Sequence, residues 1–161
     1  MSYQHIANLY SDQRVLAFRE LFALEKLHGT SAHVMWKDKQ VRFFSGGAKQ
    51  AAFESIFASL DMTALFVALG HDEVIIYGEA YGGSMQRMAE TYGPELRFAV
   101  FEVKIGGTWL AVPNAEDVAR KMGLEFVHYR LCSSTIEELN TERDAPIGPG
   151  EAKRDCRGQA P

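Results

Sequence analysis

Residues 23–34 read ALEKLHGTSAHV: a lysine between leucines, then His28-Gly29-Thr30, then a run that alternates small, polar and apolar residues. An aliphatic-flanked lysine at a strand end is most simply a snorkelling side chain, its stem on apolar surface and its amine in water. A lysine amine becomes a nucleophile when desolvation lowers its pKa or when it is held against an electrophile. Leu24 and Leu27 offer such desolvation, and His28-Gly29-Thr30 adds a polar ring, a flexible backbone and a hydroxyl. These twelve residues alone leave both readings open.

The pattern outward from this stretch is mixed. Residues 1–19 predict a short extended piece and a polar turn at Ser11-Asp12-Gln13, and Phe18–Ala23 is apolar enough for a strand or a helix, a strand running into Lys26 being the favoured reading. SAHVMWK (31–37) and VRFFSGG (41–47), separated by Asp38-Lys39-Gln40, predict a hairpin closed by Gly46-Gly47. AKQAAFESIFASL (48–60) places Phe53, Ile56, Phe57 and Leu60 at helical spacing. Asp61 is then the cap of a second helix ending at Gly70. EVIIYGEAYGG (73–83) predicts a strand leading into a loop, and RFAVFEVKIGGTWLAV (97–112) two strands joined at Gly106-Gly107. A helix over Pro113–Met122, a strand over LEFVHYRL (124–131) and a short helix over Ser134–Thr141, capped by Ser133 or Ser134, complete the sequence of elements. The order predicts an α+β fold of antiparallel hairpins with inserted helices, without the regular βαβ alternation of a doubly wound sheet.

The totals narrow the function classes. A chain of 161 residues suits one domain, and 47% hydrophobic residues suffice for a sizeable core. A net charge of −4 argues against tight, non-specific phosphate binding by the whole surface, while leaving room for a local basic groove. No apolar run approaches the ~20 residues of a membrane span, and the N-terminus has no basic-then-apolar pattern of a signal peptide. Cys132 and Cys156 match no metal or redox spacing and predict free thiols in a reducing, cytoplasmic setting. His33, His71 and His128 show no metal-ligand spacing.

Three short motifs occur in a telling order. EKLHGT (25–30) resembles the K-x-[D/H]-G nucleophile motif of the covalent nucleotidyltransferases, the ATP-dependent DNA ligases, RNA ligases and mRNA capping enzymes. YGEAYGG (77–83) is similar to that superfamily's glycine-flanked glutamate motif, and RFAVFEV (97–103) to its aromatic strand motif. Each is weak alone, since Glu79 by itself reads as a solvated strand-end carboxylate and Phe101 as a core aromatic. Together they span roughly residues 18–131. Histidine at 28, where DNA ligases and capping enzymes usually carry aspartate, favours the ATP-dependent RNA ligases of the RNA ligase 2 type.

The resemblance implies an ATP-grasp-like nucleotidyltransferase domain of antiparallel sheets with flanking helices, incomplete at its C-terminus. Residues 1–142 would form the partial adenylylation domain and 143–161 a polar, proline- and glycine-containing tail. Lys26 would attack the α-phosphate of ATP to give lysyl-AMP, and AMP would pass to an RNA 5′-phosphate before displacement by a 3′-hydroxyl. His28 sits where the family uses a side chain in the ligation steps. Glu25 matches a position that helps read adenine, Gly29 belongs to the nucleotide-binding motif, Glu79 would bind the ribose, and Phe101 would stack on the base. Arg42 is the candidate phosphate contact, with ordinary surface charge as the simpler reading for it and for Lys49. Mg²⁺ would accompany ATP, with its protein ligands unknown.

Two departures qualify this. The arginine common near the end of the trailing strand is offset here to Arg42, with Phe43 and Phe44 after it. No E-G-[I/V]-V or K-x-K motif follows Phe101, so truncation or a shifted reading frame is expected, and with it weak or absent self-adenylylation. The alternatives are a non-catalytic nucleotide- or RNA-binding module, and a DNA ligase or capping-type enzyme.

Overall fold

The computed structural model describes residues 8–9 and 11–145. The extended piece expected before residue 8, most of the tail, and Cys156 lie outside the described residues. The chain divides into two compact units: residues 28–126, and a second unit built from the N-terminal segment through Leu27 and the C-terminal segment from Val127.

Residues 28–126 form a six-stranded sheet. β2 (Gly29–Lys37), β3 (Gln40–Phe44), β4 (Glu73–Gly82), β5 (Leu96–Ile105) and β6 (Thr108–Trp109) lie in the order β3-β2-β4-β5-β6, all antiparallel. β7 (Glu125–Phe126) joins β5 in parallel at Ala99–Val100, while β6 takes Lys104–Ile105. The β2–β3 hairpin turns through Asp38 and Lys39, whose φ values of 55° and 58° give the twist that a two-residue connection demands.

Alternation sorts the strands into two faces. Ala32, Val34, Trp36, Val74, Ile76, Ala80, Phe98, Val100 and Val103 point into one core. Against them pack α1 (Gln50–Ser55), α2 (Met62–Leu69) and α4 (Val112–Lys121) through Phe53, Met62, Phe66, Ala115, Val118 and Ala119, with Phe57 from the turns between α1 and α2. The opposite face carries Ser31, His33 and Met35 of β2, Tyr77 and Glu79 of β4, and Phe101 and Glu102 of β5. The parity of β5 breaks at a bulge, where Gly78 pairs with Val100 but Tyr77 pairs with Glu102. Phe101 is the extra residue, so Phe101 and Glu102 leave the core side together while Val103 returns to it. Gly78 is obligatory there: a Cβ would stand 2.4 Å from the Ala99 carbonyl oxygen and 2.5 Å from Phe98 Cζ.

The helix expected over 48–60 is shorter than its apolar spacing suggests. After Ser55 the bonds tighten to i→i−3, from Phe57 to Glu54 and from Leu60 to Phe57, and the chain turns into Asp61. Phe53 and Phe57 still reach the core. Asp61 accepts the Ala64 N–H at 3.0 Å and Gly70 closes α2 at φ 74°, as the sequence predicts. A four-residue helix, α3 (Ala89–Tyr92), lies between β4 and β5.

The other unit pairs β1 (Glu20–Leu24) with β8 (Tyr129–Ser133) in register from Glu20↔Ser133 to Leu24↔Tyr129. LEFVHYRL is therefore two strands with different partners, not one. Leu21, Ala23, Cys132 and Leu139 of α5 (Ile136–Asp144) form its small core. The cap of α5 is Thr135, whose hydroxyl accepts the Glu138 N–H at 3.3 Å. Ser134 is taken elsewhere, its hydroxyl donating to the Phe18 carbonyl. Glu142 is buried and held by Arg130 at 3.2 Å.

Candidate functional site

Lys26 and Glu25 lie in the stretch after β1. The Glu25 N–H donates to the His128 carbonyl at 2.8 Å, extending the β1–β8 pairing by one bond. Leu27 beside them is buried, and Lys26 is half-buried.

His28 and Gly29 begin the larger unit, and here every member of His-Gly-Thr has a structural task. The His28 N–H donates to the Tyr92 hydroxyl at 3.3 Å. The Gly29 N–H donates to Glu79 Oε1 at 3.0 Å. The Thr30 hydroxyl accepts the Gly47 N–H at 2.9 Å, tying the end of the trailing hairpin to the motif. Gly29 allows a close approach that no other residue permits, because a Cβ would lie 2.1 Å from the Ala80 carbonyl oxygen.

Glu79 is brought directly onto this motif. It faces Ser31 across β2–β4 and Ala99 across β4–β5, on the side of the sheet away from the core. Phe101 stands two residues beyond Ala99 on the same side, half-buried, displaced there by the bulge. A carboxylate able to accept from hydroxyls and an aromatic face thus share one sheet surface. Arg42 also belongs to this face, opposite Met35, but on the edge strand β3, where its guanidinium donates to Gln40 Oε1 at 3.3 Å.

A row of rings crosses the same face. His33 stacks on Phe44 at 4.3 Å and 16°, and tilts against Tyr77 at 5.3 Å. Tyr77 meets Trp109 at 5.3 Å, and the Lys104 ammonium lies 5.2 Å over the Trp109 ring. Burial holds the His33 imidazole below its ordinary value. Burial, with the Glu102 carboxylate nearby, pushes the Tyr77 phenol up. Both groups therefore favour their neutral forms.

Sequence reasoning did not find Tyr92, Gln86 or the ring row. The segment holding Tyr92 and Gln86 is marked only by flanking glycines, and its contacts to His28–Gly29 are long-range. Among the described residues no group of three or more His, Cys, Asp or Glu side chains is placed to hold a metal ion. No helix among them is long and apolar enough to cross a membrane.

Comparison with known proteins gives these features a context. The family model described as RNA ligase matches residues 19–156. No curated protein matches the chain. Among solved structures, Naegleria gruberi RNA ligase with PPi superposes with a TM-score of 0.76 at 16% identity, over 97% of this chain and 51% of that one. A mutant of that ligase with ATP and Mn gives a TM-score of 0.67 at 17% identity, over 86% of this chain and 44% of that one. A mutant with AMP and Mn gives 0.74 at 15% identity, again over 97% and 51%. At such identities the likeness shows the fold, an antiparallel-sheet architecture with flanking helices. The chain spans about half the length of the solved structures it matches.

Proposed function

The chain belongs to the RNA ligase family, and from that premise we propose that residues 1–142 are a partial adenylyltransferase domain of an ATP-dependent RNA ligase. The observation that carries the reading is the Glu79–Gly29 bond at 3.0 Å, which joins the glutamate motif to the nucleophile motif.

In this reading the Lys26 Nζ attacks the α-phosphorus of ATP. A P–N bond forms, the P–O bond to pyrophosphate breaks, and the amine's proton is lost to solvent, leaving lysyl-AMP. The AMP then moves to an RNA 5′-phosphate, and a 3′-hydroxyl displaces it to seal the strand. Glu25 helps read the adenine, Glu79 accepts from the ribose hydroxyls, and Phe101 supplies a stacking face for the base. His28 acts in the later steps and Arg42 meets phosphate. Such transfers depend mainly on positioning and charge neutralisation. Mg²⁺ would accompany ATP and supply charge neutralisation at its phosphates. The Naegleria gruberi ligase structures with ATP and Mn support a nucleotide with a divalent ion. A cytoplasmic setting is part of the proposal, supported by the free Cys132 thiol.

No E-G-[I/V]-V or K-x-K follows Phe101 in this chain, so its own self-adenylylation is expected to be weak. The second reading is a module that binds nucleotide or RNA without the reaction. Intact-mass measurement after incubation with ATP and Mg²⁺ separates them. Slow addition of one AMP, lost in Lys26→Ala, supports the ligase reading. ATP binding that survives Lys26→Ala with no adduct in the wild type favours the binding module, and a chain that binds neither ATP nor RNA overturns both.

A further inference from the structure

The segment Gly83–Gly93 carries no recognised motif, yet two of its side chains reach the backbone just after Lys26-Leu27. The Tyr92 hydroxyl accepts the His28 N–H at 3.3 Å, and the Gln86 side-chain amide donates to the Gly29 carbonyl at 3.2 Å. With Glu79 on the Gly29 N–H, side chains hold three backbone polar groups of two successive residues.

The segment is built to present those side chains. The Gly83 N–H donates to the Gly93 carbonyl at 3.0 Å and closes its base. Gln86 and Arg87 stand at φ 50° and 57°, a left-handed pair of non-glycine residues. Each such residue costs roughly 1–2 kcal/mol, so the surrounding bonds must over-determine the turn. Tyr92 meets the Tyr81 ring edge-on at 5.3 Å and 90°. Tyr81 is anchored in turn, its hydroxyl donating to Glu125 Oε1 at 2.7 Å while Arg97 pairs with Glu125 Oε2 at 2.8 Å.

We propose that Tyr92 and Gln86 are positioning residues for the nucleophile motif: through His28 N–H and Gly29 C=O they hold the backbone that follows Lys26 in one conformation. The proposal deepens the adenylyltransferase reading and rests on it for the role of Lys26. Neither side chain touches a reacting atom in this account. Their effect is to remove backbone freedom close to a nucleophile whose rate depends on alignment.

The test uses the full 161-residue chain with Tyr92→Phe, which keeps the ring against Tyr81 and deletes only the hydroxyl, and Gln86→Ala. Amide hydrogen exchange, followed residue by residue by NMR, is expected to quicken about 5-fold or more at His28 in Tyr92→Phe, at an unchanged melting temperature, as loss of one hydrogen bond implies. Gln86→Ala removes the donor to the Gly29 carbonyl, so the Gly29 carbonyl ¹³C resonance is expected to shift, while the Gly29 N–H, held by Glu79, keeps its exchange rate. The rate of AMP addition to Lys26 at saturating ATP should fall by a similar factor, with half-saturation unmoved. A role in packing alone would leave Tyr92→Phe at the wild-type rate. Unchanged exchange at His28 together with an unmoved Gly29 carbonyl resonance overturns the proposal, as does faster His28 exchange without a slower rate. A wild-type chain that takes up no AMP overturns the ligase reading instead, and the His28 exchange rate and the Gly29 carbonyl resonance still decide whether the segment holds the motif.

Discussion

The Glu79 carboxylate and the Gly29 N–H meet at 3.0 Å across β4 and β2, so the glutamate assigned to the nucleotide also secures the strand that begins at the nucleophile motif. Two demands fall on one side chain. Glu79→Ala leaves the Gly29 N–H without this acceptor and is expected to cost about 1–3 kcal/mol. Glu79→Gln keeps a carbonyl acceptor and is expected to cost about 1 kcal/mol or less. Urea denaturation of the two variants, alongside ATP binding, reads both demands at once.

Gly29→Ala drives a methyl group to within 2.1 Å of the Ala80 oxygen. The backbones of β2 and β4 must part, which is expected to destabilise the chain by about 2 kcal/mol or more and to abolish AMP addition to Lys26. Gly107→Ala is the matched control, because nothing lies within 4 Å of a Cβ there. Its melting temperature should stay near that of the wild type.

Phe101 is carried to the open side of the sheet by the bulge. Phe101→Leu keeps an apolar side chain and removes the π face. If that face stacks on adenine, the loss is about 1–3 kcal/mol, so ATP binding measured by calorimetry should weaken roughly 5- to 150-fold. Stability should fall far less than binding. Equal ATP affinity in wild type and Phe101→Leu would sink the assignment.

Stability should also depend on His33. Burial lowers its pKa in the fold, so as pH falls through the unfolded value of about 6.5 the unfolded chain gains a proton that the folded chain does not. Stability is therefore full above that pH and declines below it, at up to about 1.4 kcal/mol per pH unit, until the folded pKa is passed. His33→Phe retains a ring beside Phe44 and should flatten the profile between pH 7.5 and 5.5 in urea titrations.

The parts legible in the sequence were those whose cause is local. Asp61 and Gly70 announce α2 because a cap and a left-handed stop act within one turn. Lys26, Glu79 and Phe101 stand out as an ordered motif set, and Glu79 does meet Gly29. What stayed hidden depends on choosing a distant partner. LEFVHYRL splits because Glu125–Phe126 pair with β5 while Tyr129–Ser133 pair with β1. Ser133, Ser134 and Thr135 are all competent caps, and the Ser134 bond to Phe18 leaves the task to Thr135. The roles of Tyr92 and Gln86 are of the same kind, because each is defined only by a backbone more than fifty positions away.

The strand that leads to Lys26 finds its partner only at Tyr129–Ser133. A ribosome delivers β1 early and β8 late, so the first strand emerges with an unpaired edge, the kind of surface that invites wrong partners. Meanwhile residues 28–126 can pair among themselves, whereas joining β1 to β8 means closing a longer loop, an entropic cost met only after both have emerged. The order of assembly runs opposite to the order of chemistry. Lys26 precedes all six strands of the larger unit, yet the ribbon that leads to it can pair only after they have emerged. A ribosome stalled before β8 would hold all six strands of the larger sheet and a β1 still without its partner.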